Sequence, residues 1–337
     1  MIYRIILSLR HLFYDKGWKK SREAGVPTIC VGNVTVGGTG KTPHTELILR
    51  LLMNSDKWAY SIIAMLSRGY KRSTKGFQPV PAGGSARLYG DEPVQIASKY
   101  MAVSVAVDKN RVRGCEKLVK DNNAQLIVLD DAFQYRKLRP TLSIVLVDYN
   151  RPVHKDHLLP WGHLRDLPSR IRKADAVIVT KCPAYMDEAD REQWRRHLGL
   201  REEQPLFFTT VSYMDPEPVF PEADSHYIYS QRLVLVTGIA NNASLRSHLS
   251  DKYKIERRIE YRDHHRFTRG DMRKMTSAIK ALPTACIMTT EKDAQRMRDL
   301  KKVPDKVKQR LFYVPIQAAF LSQEEETAFT EFMLGRL

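Results

Sequence analysis

Cysteine is scarce and scattered. Cys30, Cys115, Cys182 and Cys286 lie far apart with no CxxC pair. That spacing excludes a zinc-ribbon pattern and a disulfide framework, and it fits a reducing cytoplasm. No apolar run reaches the roughly 18 residues of a membrane-spanning helix. The N-terminus lacks a small-residue cleavage site, so it does not read as a signal peptide. No internal repeat or low-complexity tract is evident. Negative charge is also in deficit, with 38 acidic against 55 basic residues and a net charge of +17. A chain this basic suits an anionic partner: nucleic acid, a negatively charged membrane or a phosphorylated substrate. The apolar content of 43% excludes disorder, and 337 residues suffice for two domains that each bury a core.

One familiar motif is present but incomplete. The stretch "CVGNVTVGGTGKTPHT" (30–45) carries most of a phosphate-binding loop, G-x-x-x-x-G-K-[ST], except that Thr35 stands where the first glycine belongs. Gly37, Gly38, Thr39, Gly40, Lys41 and Thr42 supply the rest. Backbone N–H groups of such a turn at a helix N-terminus converge on phosphate oxygens. Lys41 would reach the β- and γ-phosphates, and the Thr42 hydroxyl would bind Mg2+. Val36 stands where chromosome-partitioning and metal-delivery ATPases carry a lysine, which argues against that group. The second half of such a site is an acidic residue ending an apolar strand. "AQLIVLDDAFQYRKL" provides Asp130 and Asp131, both candidates to hold Mg2+. A guanine-reading N-K-x-D is missing: Thr180-Lys181-Cys182-Pro183 lacks the carboxylate, so ATP is the expected nucleotide.

Apolar runs at Val26–Val31, Ser61–Leu66, Val103–Val107, Leu126–Leu129, Ile144–Val147 and Ala176–Val179 alternate with helical patterns. This predicts an α/β fold with a P-loop NTPase-type parallel sheet covered by helices on both faces. Leu206–Val211 adds a strand. The acidic, proline-rich "MDPEPVFPEAD" suggests a linker over 212–230, between a core domain (1–211) and a smaller α/β domain (231–337). Within "MIYRIILSLRHLFYDKGWKK", Ile2, Ile5, Ile6, Leu9, Leu12 and Phe13 share one helical face, with Arg4, Ser8, His11 and Asp15 opposite and Lys16, Lys19, Lys20 and Arg22 following. Two readings stay open here: a helix packed on the domain, or one lying in a membrane interface with its cations on anionic headgroups.

Further polar clusters fall at strand ends. "LSRGYKR" presents Ser67 and Arg68 on the carboxyl edge of the sheet, where open α/β folds bind ligands. "YGDEP" puts Asp91 ahead of a helical run, a spacing that fits a helix cap. "DKNRVRG" contributes Arg111 and Arg113, with a solvated face as the plain alternative. "YRDHHRF" brings Asp263, His264 and His265 together, too few ligands for a metal site.

In this order, "GNVTVGGTGKTP", "LSRGY", "GDEP", "DKNRVRG", "LDDAFQYRKL", "GHLRD", "TGIAN", "DHHRF" and "TTEKDAQR" resemble the tetraacyldisaccharide 4'-kinases of lipid A biosynthesis, across nearly the whole chain. The resemblance implies a peripheral protein on the cytoplasmic face of the bacterial inner membrane, with ATP and Mg2+ as cofactors. It would transfer the γ-phosphate to the 4'-hydroxyl of an acylated glucosamine disaccharide 1-phosphate, giving the 1,4'-bisphosphorylated lipid. It also implies an anionic membrane surface as partner, with no nucleic acid and no obligate protein partner. Among site residues it assigns Asp91 as the base, paired with His264, beside Lys41. Ser67, Arg68, Arg111 and Arg165 are candidates for substrate binding. The chain departs from the family pattern at Ala132 and Tyr135, where Gly and His are usual, and at Asp166-Leu167, where Glu-Pro is usual. The alternative is a P-loop ATPase acting as a switch or assembly factor, with no phosphorylated acceptor.

Overall fold

The computed structural model describes residues 2–337, and among these the strands form two sheets. The first eight strands are β1 (Thr28–Asn33), β2 (Ile63–Ser67), β3 (Gln78–Pro79), β4 (Ser104–Val107), β5 (Leu126–Asp130), β6 (Leu142–Asp148), β7 (Ala176–Thr180) and β8 (Leu206–Tyr213). The next five are β9 (Glu217–Pro218), β10 (Arg232–Thr237), β11 (Lys254–Glu260), β12 (Cys286–Thr290) and β13 (Leu311–Val314), and the last is β14 (Ile316–Phe320). The larger sheet has the order β14-β8-β7-β6-β1-β5-β2-β4-β3, and the smaller β11-β10-β12-β13-β9. Both are parallel inside. The larger carries antiparallel edges in β14 and β3, the smaller one in β9.

The apolar runs become fully buried strands because helices cover both faces of the larger sheet. On one face Leu47, Ile48 and Leu52 of the helix Lys41–Met53 pack with Ile29, Val31, Phe329 and Met333; on the other, Leu66, Cys115, Leu118 and Leu129 cluster. The chain leaves β1 for β2 on one side, whereas β5 leads to β6 on the other. The strand order therefore reverses around β1, and the crevice at its carboxyl end is where such folds bind ligands.

Two boundaries differ from the expectation. The stretch 212–230 is not a free linker: β8 runs to Tyr213, Glu217–Pro218 pairs with β13, and Ser225–Tyr229 is a 3-10 helix. Nor does the second unit run to the end. β14 pairs with β8, and the helix Gln323–Arg336 buries Phe329 and Met333 in the first core. Sequence order hides this return because β13 and β14 are nearly continuous yet join different sheets.

The N-terminal helix Ile2–Asp15 packs along a mixed stripe of Tyr3, Leu7, Arg10, His11 and Tyr14, with Arg4 and Ser8 exposed. His11 and Leu7 are buried, His11 Nε2 pairs with buried Asp166 at 2.6 Å, and the Tyr3 hydroxyl donates to the Arg165 carbonyl at 2.9 Å. Arg136 and Arg170 donate to Asp15 at 2.8 and 3.3 Å. The opposite face is left open, with Ile2 76% and Ile6 56% exposed. Packing thus leaves most of the apolar face outward, against what hydropathy alone would suggest. Among the described residues no helix is long and apolar enough to cross a membrane.

Candidate functional site

The missing glycine has a structural explanation. Thr35 is buried and bridges Leu164 in antiparallel fashion, the Val36 N–H donates to the His163 carbonyl at 2.7 Å, and Asn33 Nδ2 donates to the hydroxyls of Thr35 (3.2 Å) and Thr39 (2.7 Å). Extended backbone there needs no glycine. The left-handed turns come later, at Gly37 (φ 95°) and Gly40 (φ 85°), where a side chain is disfavoured. The loop is pinned from outside by Lys181, which donates to the Gly38 carbonyl and to Asp148 Oδ2 at 2.6 Å. His44 Nδ1 lies 2.7 Å from the Gly40 carbonyl and Nε2 lies 2.8 Å from the Thr209 hydroxyl. Burial lowers the pKa of this imidazole to about 4, so it is neutral and its Nδ1–H donates to Gly40.

Asp130 and Asp131 leave β5 with different tasks. Asp131 adopts a left-handed backbone (φ 52°), accepts from both Arg165 Nη atoms, and lies 3.9 Å from Lys41 Nζ. Burial works to raise its pKa, but the charges of Lys41 and Arg165 prevail and hold it at about 2. Asp130 is pushed up to about 6 by burial and by the neighbouring charges of Asp131 and Glu92. Its Oδ2 accepts from the Ser67 hydroxyl at 3.2 Å, whereas Oδ1 is buried with no hydrogen-bond partner. A buried carboxylate oxygen with no hydrogen-bond partner is open to a cation. With the buried Thr42 hydroxyl heading the helix Lys41–Met53, this donor set fits a hard, oxygen-seeking ion such as Mg2+. Among the described residues no cluster of three or more His, Cys, Asp or Glu could hold a metal unaided. That suits an ion taking its remaining ligands from phosphates and water.

The unit built on the second sheet meets the first through a pair of helices. The helix Asp91–Lys99 packs against the helix Glu291–Arg298, joined by Glu92–Lys292 (2.8 Å) and by Lys99 between Glu46 (3.0 Å) and Glu291 (2.7 Å). Glu92 raises the pKa of Asp130 and Lys292 lowers that of Lys41, so the charges of this contact are felt at the phosphate loop. Asp91 is not the helix cap. Gly90 is, at φ 102°, and a Cβ there would meet Gly69 and Tyr70 at 3.3 Å, which explains why "LSRGY" and "GDEP" lie together. Asp91 Oδ2 instead accepts from Arg296 Nε (2.8 Å) and Nη2 (2.5 Å) and lies 3.3 Å from His264 Nδ1. Burial opposes ionisation of Asp91, but the His264 contact and the Arg296 charge win and keep its pKa low.

His264 itself has a left-handed backbone (φ 60°), a strained conformation that surrounding contacts must hold. "TGIAN", "DHHRF" and "TTEKDAQR" converge here. The Gly238 carbonyl accepts from the His264 N–H (3.1 Å) and from Arg296 Nη1 (3.0 Å), and Arg296 Nη1 also donates to buried Asp293 at 2.8 Å. His265 stays structural, pairing with Asp271 at 2.9 Å and stacking on Tyr261.

The four expected substrate residues divide. Ser67 and Arg165 hold the two aspartates, and buried Arg111 donates to the backbone of Asp108 and Asp131 rather than forming a solvated face. Arg68 is exposed and makes no ion pair among the described residues. Asp166 ties down the N-terminal helix through His11, and the Tyr135 hydroxyl donates to Asn110 at 3.0 Å. Lys181 and Arg296, which bond to the phosphate loop and to Asp91, were not among the sequence candidates. Both stand in quoted motifs, but only tertiary pairing reveals them.

A phosphate loop at the carboxyl end of β1, with paired aspartates at the end of neighbouring β5, is the arrangement of a P-loop phosphotransferase. The family model described as "LpxK: Tetraacyldisaccharide-1-P 4'-kinase" matches residues 1–337. The chain is 38% identical over 334 residues to a tetraacyldisaccharide 4'-kinase of Phocaeicola vulgatus (96% of this chain, 90% of the relative). It is 36% identical over 349 residues to one of Bacteroides thetaiotaomicron (99% and 90%). Among solved structures it is similar to "apo" form LpxK from Aquifex aeolicus in complex with ATP, with TM-score 0.75, 26% identity, and coverage of 99% of this chain and 96% of that one. The chain belongs to the tetraacyldisaccharide-1-P 4'-kinase family.

Proposed function

We propose that this protein transfers the γ-phosphate of ATP to the 4'-hydroxyl of an acylated glucosamine disaccharide 1-phosphate, working from the cytoplasmic face of the inner membrane. One observation carries the reading: Asp91 and His264, 173 residues apart, lie 3.3 Å from each other, and Glu92, the neighbour of Asp91, is among the charges that act on Asp130. The family match, not the pair alone, favours transfer to a lipid acceptor over a switch ATPase.

In this reading the loop N–H groups and Lys41 bind the phosphates, while Thr42 and Asp130, with Asp131 behind them, hold Mg2+. When bound, Mg2+ neutralises charge on the β- and γ-phosphate oxygens. Asp91 accepts the hydrogen bond of the sugar hydroxyl. A carboxylate paired with arginine is a weak proton store, so an imidazole beside it is needed. Because His264 and Arg296 come from the second sheet, the pair is complete only when the two units are together, which suits closure over bound substrate. The open apolar face of the helix Ile2–Asp15, continued by exposed Trp18, Lys19 and Lys20, suits an interfacial anchor that brings the enzyme to its lipid. The test is incubation with Mg-ATP and a tetraacylated disaccharide 1-phosphate, followed by mass analysis of the lipid for one added phosphate.

A further inference from the structure

His264 Nδ1 has two neighbours that make opposite demands. Arg296 Nη2, which can only donate, lies 3.2 Å away, and Asp91 Oδ2, which when ionised can only accept, lies 3.3 Å away. A bare Nδ1 satisfies the arginine; a protonated Nδ1 satisfies the aspartate. One ring atom cannot do both at once. On the far side of the ring, Nε2 faces a carboxylate, Asp263 Oδ2, at 3.8 Å, which favours a hydrogen on Nε2. Tyr70 covers the ring at 5.3 Å between centroids.

The arginine is not free to move away. Its other hydrogen bonds, to Asp91 through Nε and the second hydrogen of Nη2, and to Asp293 and the Gly238 carbonyl through Nη1, keep the guanidinium in place. Asp293 is fully buried and also accepts from the Gly238 N–H at 2.8 Å and the Thr290 hydroxyl at 2.8 Å.

We infer that Arg296 is a positioning residue that selects the histidine tautomer, holding His264 with Nδ1 bare and the hydrogen on Nε2. This rests on the Asp91–His264 reading above and extends it. The consequence is directional. As the sugar oxygen forms its bond to the γ-phosphorus and the bond from that phosphorus to the ADP oxygen breaks, the hydroxyl proton passes to Asp91. The Nδ1 lone pair can then exchange its bond from Arg296 Nη2, which keeps its bond to Asp91, for the proton on Asp91, leaving an imidazolium whose new Nδ1–H donates back to the carboxylate. ADP departs with the electron pair of the broken bond. Had the hydrogen started on Nδ1, that nitrogen would have no lone pair to offer, and the proton would stay on the carboxylate.

The test uses the full chain labelled with 15N-histidine, with the His264 signal among the ten histidines assigned by its loss in H264Q. In the intact protein the neutral ring should be the Nε2–H tautomer. In R296M, which retains no donor, it should switch to Nδ1–H, and kcat should fall by about 10²-fold or more while Mg-ATP affinity is kept. R296K preserves a charge between Asp91 and Asp293 and guards against loss of folding; its kcat should follow whichever tautomer it shows. An unchanged tautomer in folded R296M, or a tautomer and kcat that part company in R296K, would overturn the inference. D91N and H264Q test the underlying reading separately. If both keep kcat, the pair itself is not catalytic, whatever the tautomer.

Discussion

Replacing Asp130 by asparagine should stabilise the protein in the absence of metal while removing its activity. The Asp130 pKa rises from the ordinary 3.8 to about 6, first through burial and then through repulsion by Asp131 and Glu92. Its folded pKa being the higher, the folded state binds more protons than the unfolded between those values, so stability falls as pH rises across that window. The penalty is absent below the ordinary carboxylate range and complete above about pH 6. A displacement of about two pH units, at 1.36 kcal/mol each, amounts to at most about 3 kcal/mol. Asparagine fits the same space and still accepts from the Ser67 hydroxyl, but carries no charge. Urea unfolding without Mg2+ or nucleotide should therefore show D130N more stable than the parent at neutral pH, with the gap closing in acid. Adding Mg-ATP should stabilise the parent far more than the variant. A variant no more stable at neutral pH, or a gap that persists in acid, would refute the view that this carboxylate is built for a cation.

Three other outcomes are expected. Lys41→Ala should reduce turnover by about 10²-fold or more, because phosphoryl transfer relies on positioned charge, and a near-normal rate would show that the loop does not hold the nucleotide. Ile6→Glu with Leu9→Glu, on the open face of the N-terminal helix, should weaken binding to anionic vesicles by about tenfold or more with the unfolding temperature unchanged; equal binding by the double variant would remove the helix from membrane attachment. Asp91→Ala and His264→Ala should each lower kcat with little effect on ATP affinity, and together cost much less than the product of the two. Full multiplicativity would mean that they act independently.

Local chemistry was the part of this protein most legible in its sequence. The glycine turn, Lys41, Thr42 and the paired aspartates are contiguous, and the continuous apolar strands announced a parallel sheet. What could not be read is what depends on distant partners. Nothing near Lys181 indicates that its ammonium holds the phosphate loop, and nothing near Arg296 indicates that it reaches a carboxylate 205 residues earlier. The N-terminal helix misleads in another way. Its hydropathy describes an amphipathic face correctly, but which face meets the protein depends on His11 finding Asp166, a pairing between residues 155 apart. The return of β14 to the first sheet is invisible for the same reason: strand propensity does not name the sheet.

The most direct measurement is transfer of label from γ-32P-ATP to the lipid, in mixed micelles containing a tetraacylated glucosamine disaccharide 1-phosphate and Mg2+. The account predicts label on the 4'-oxygen of the lipid, dependent on Lys41, Asp91 and His264. Label released as inorganic phosphate with none on the lipid would contradict it.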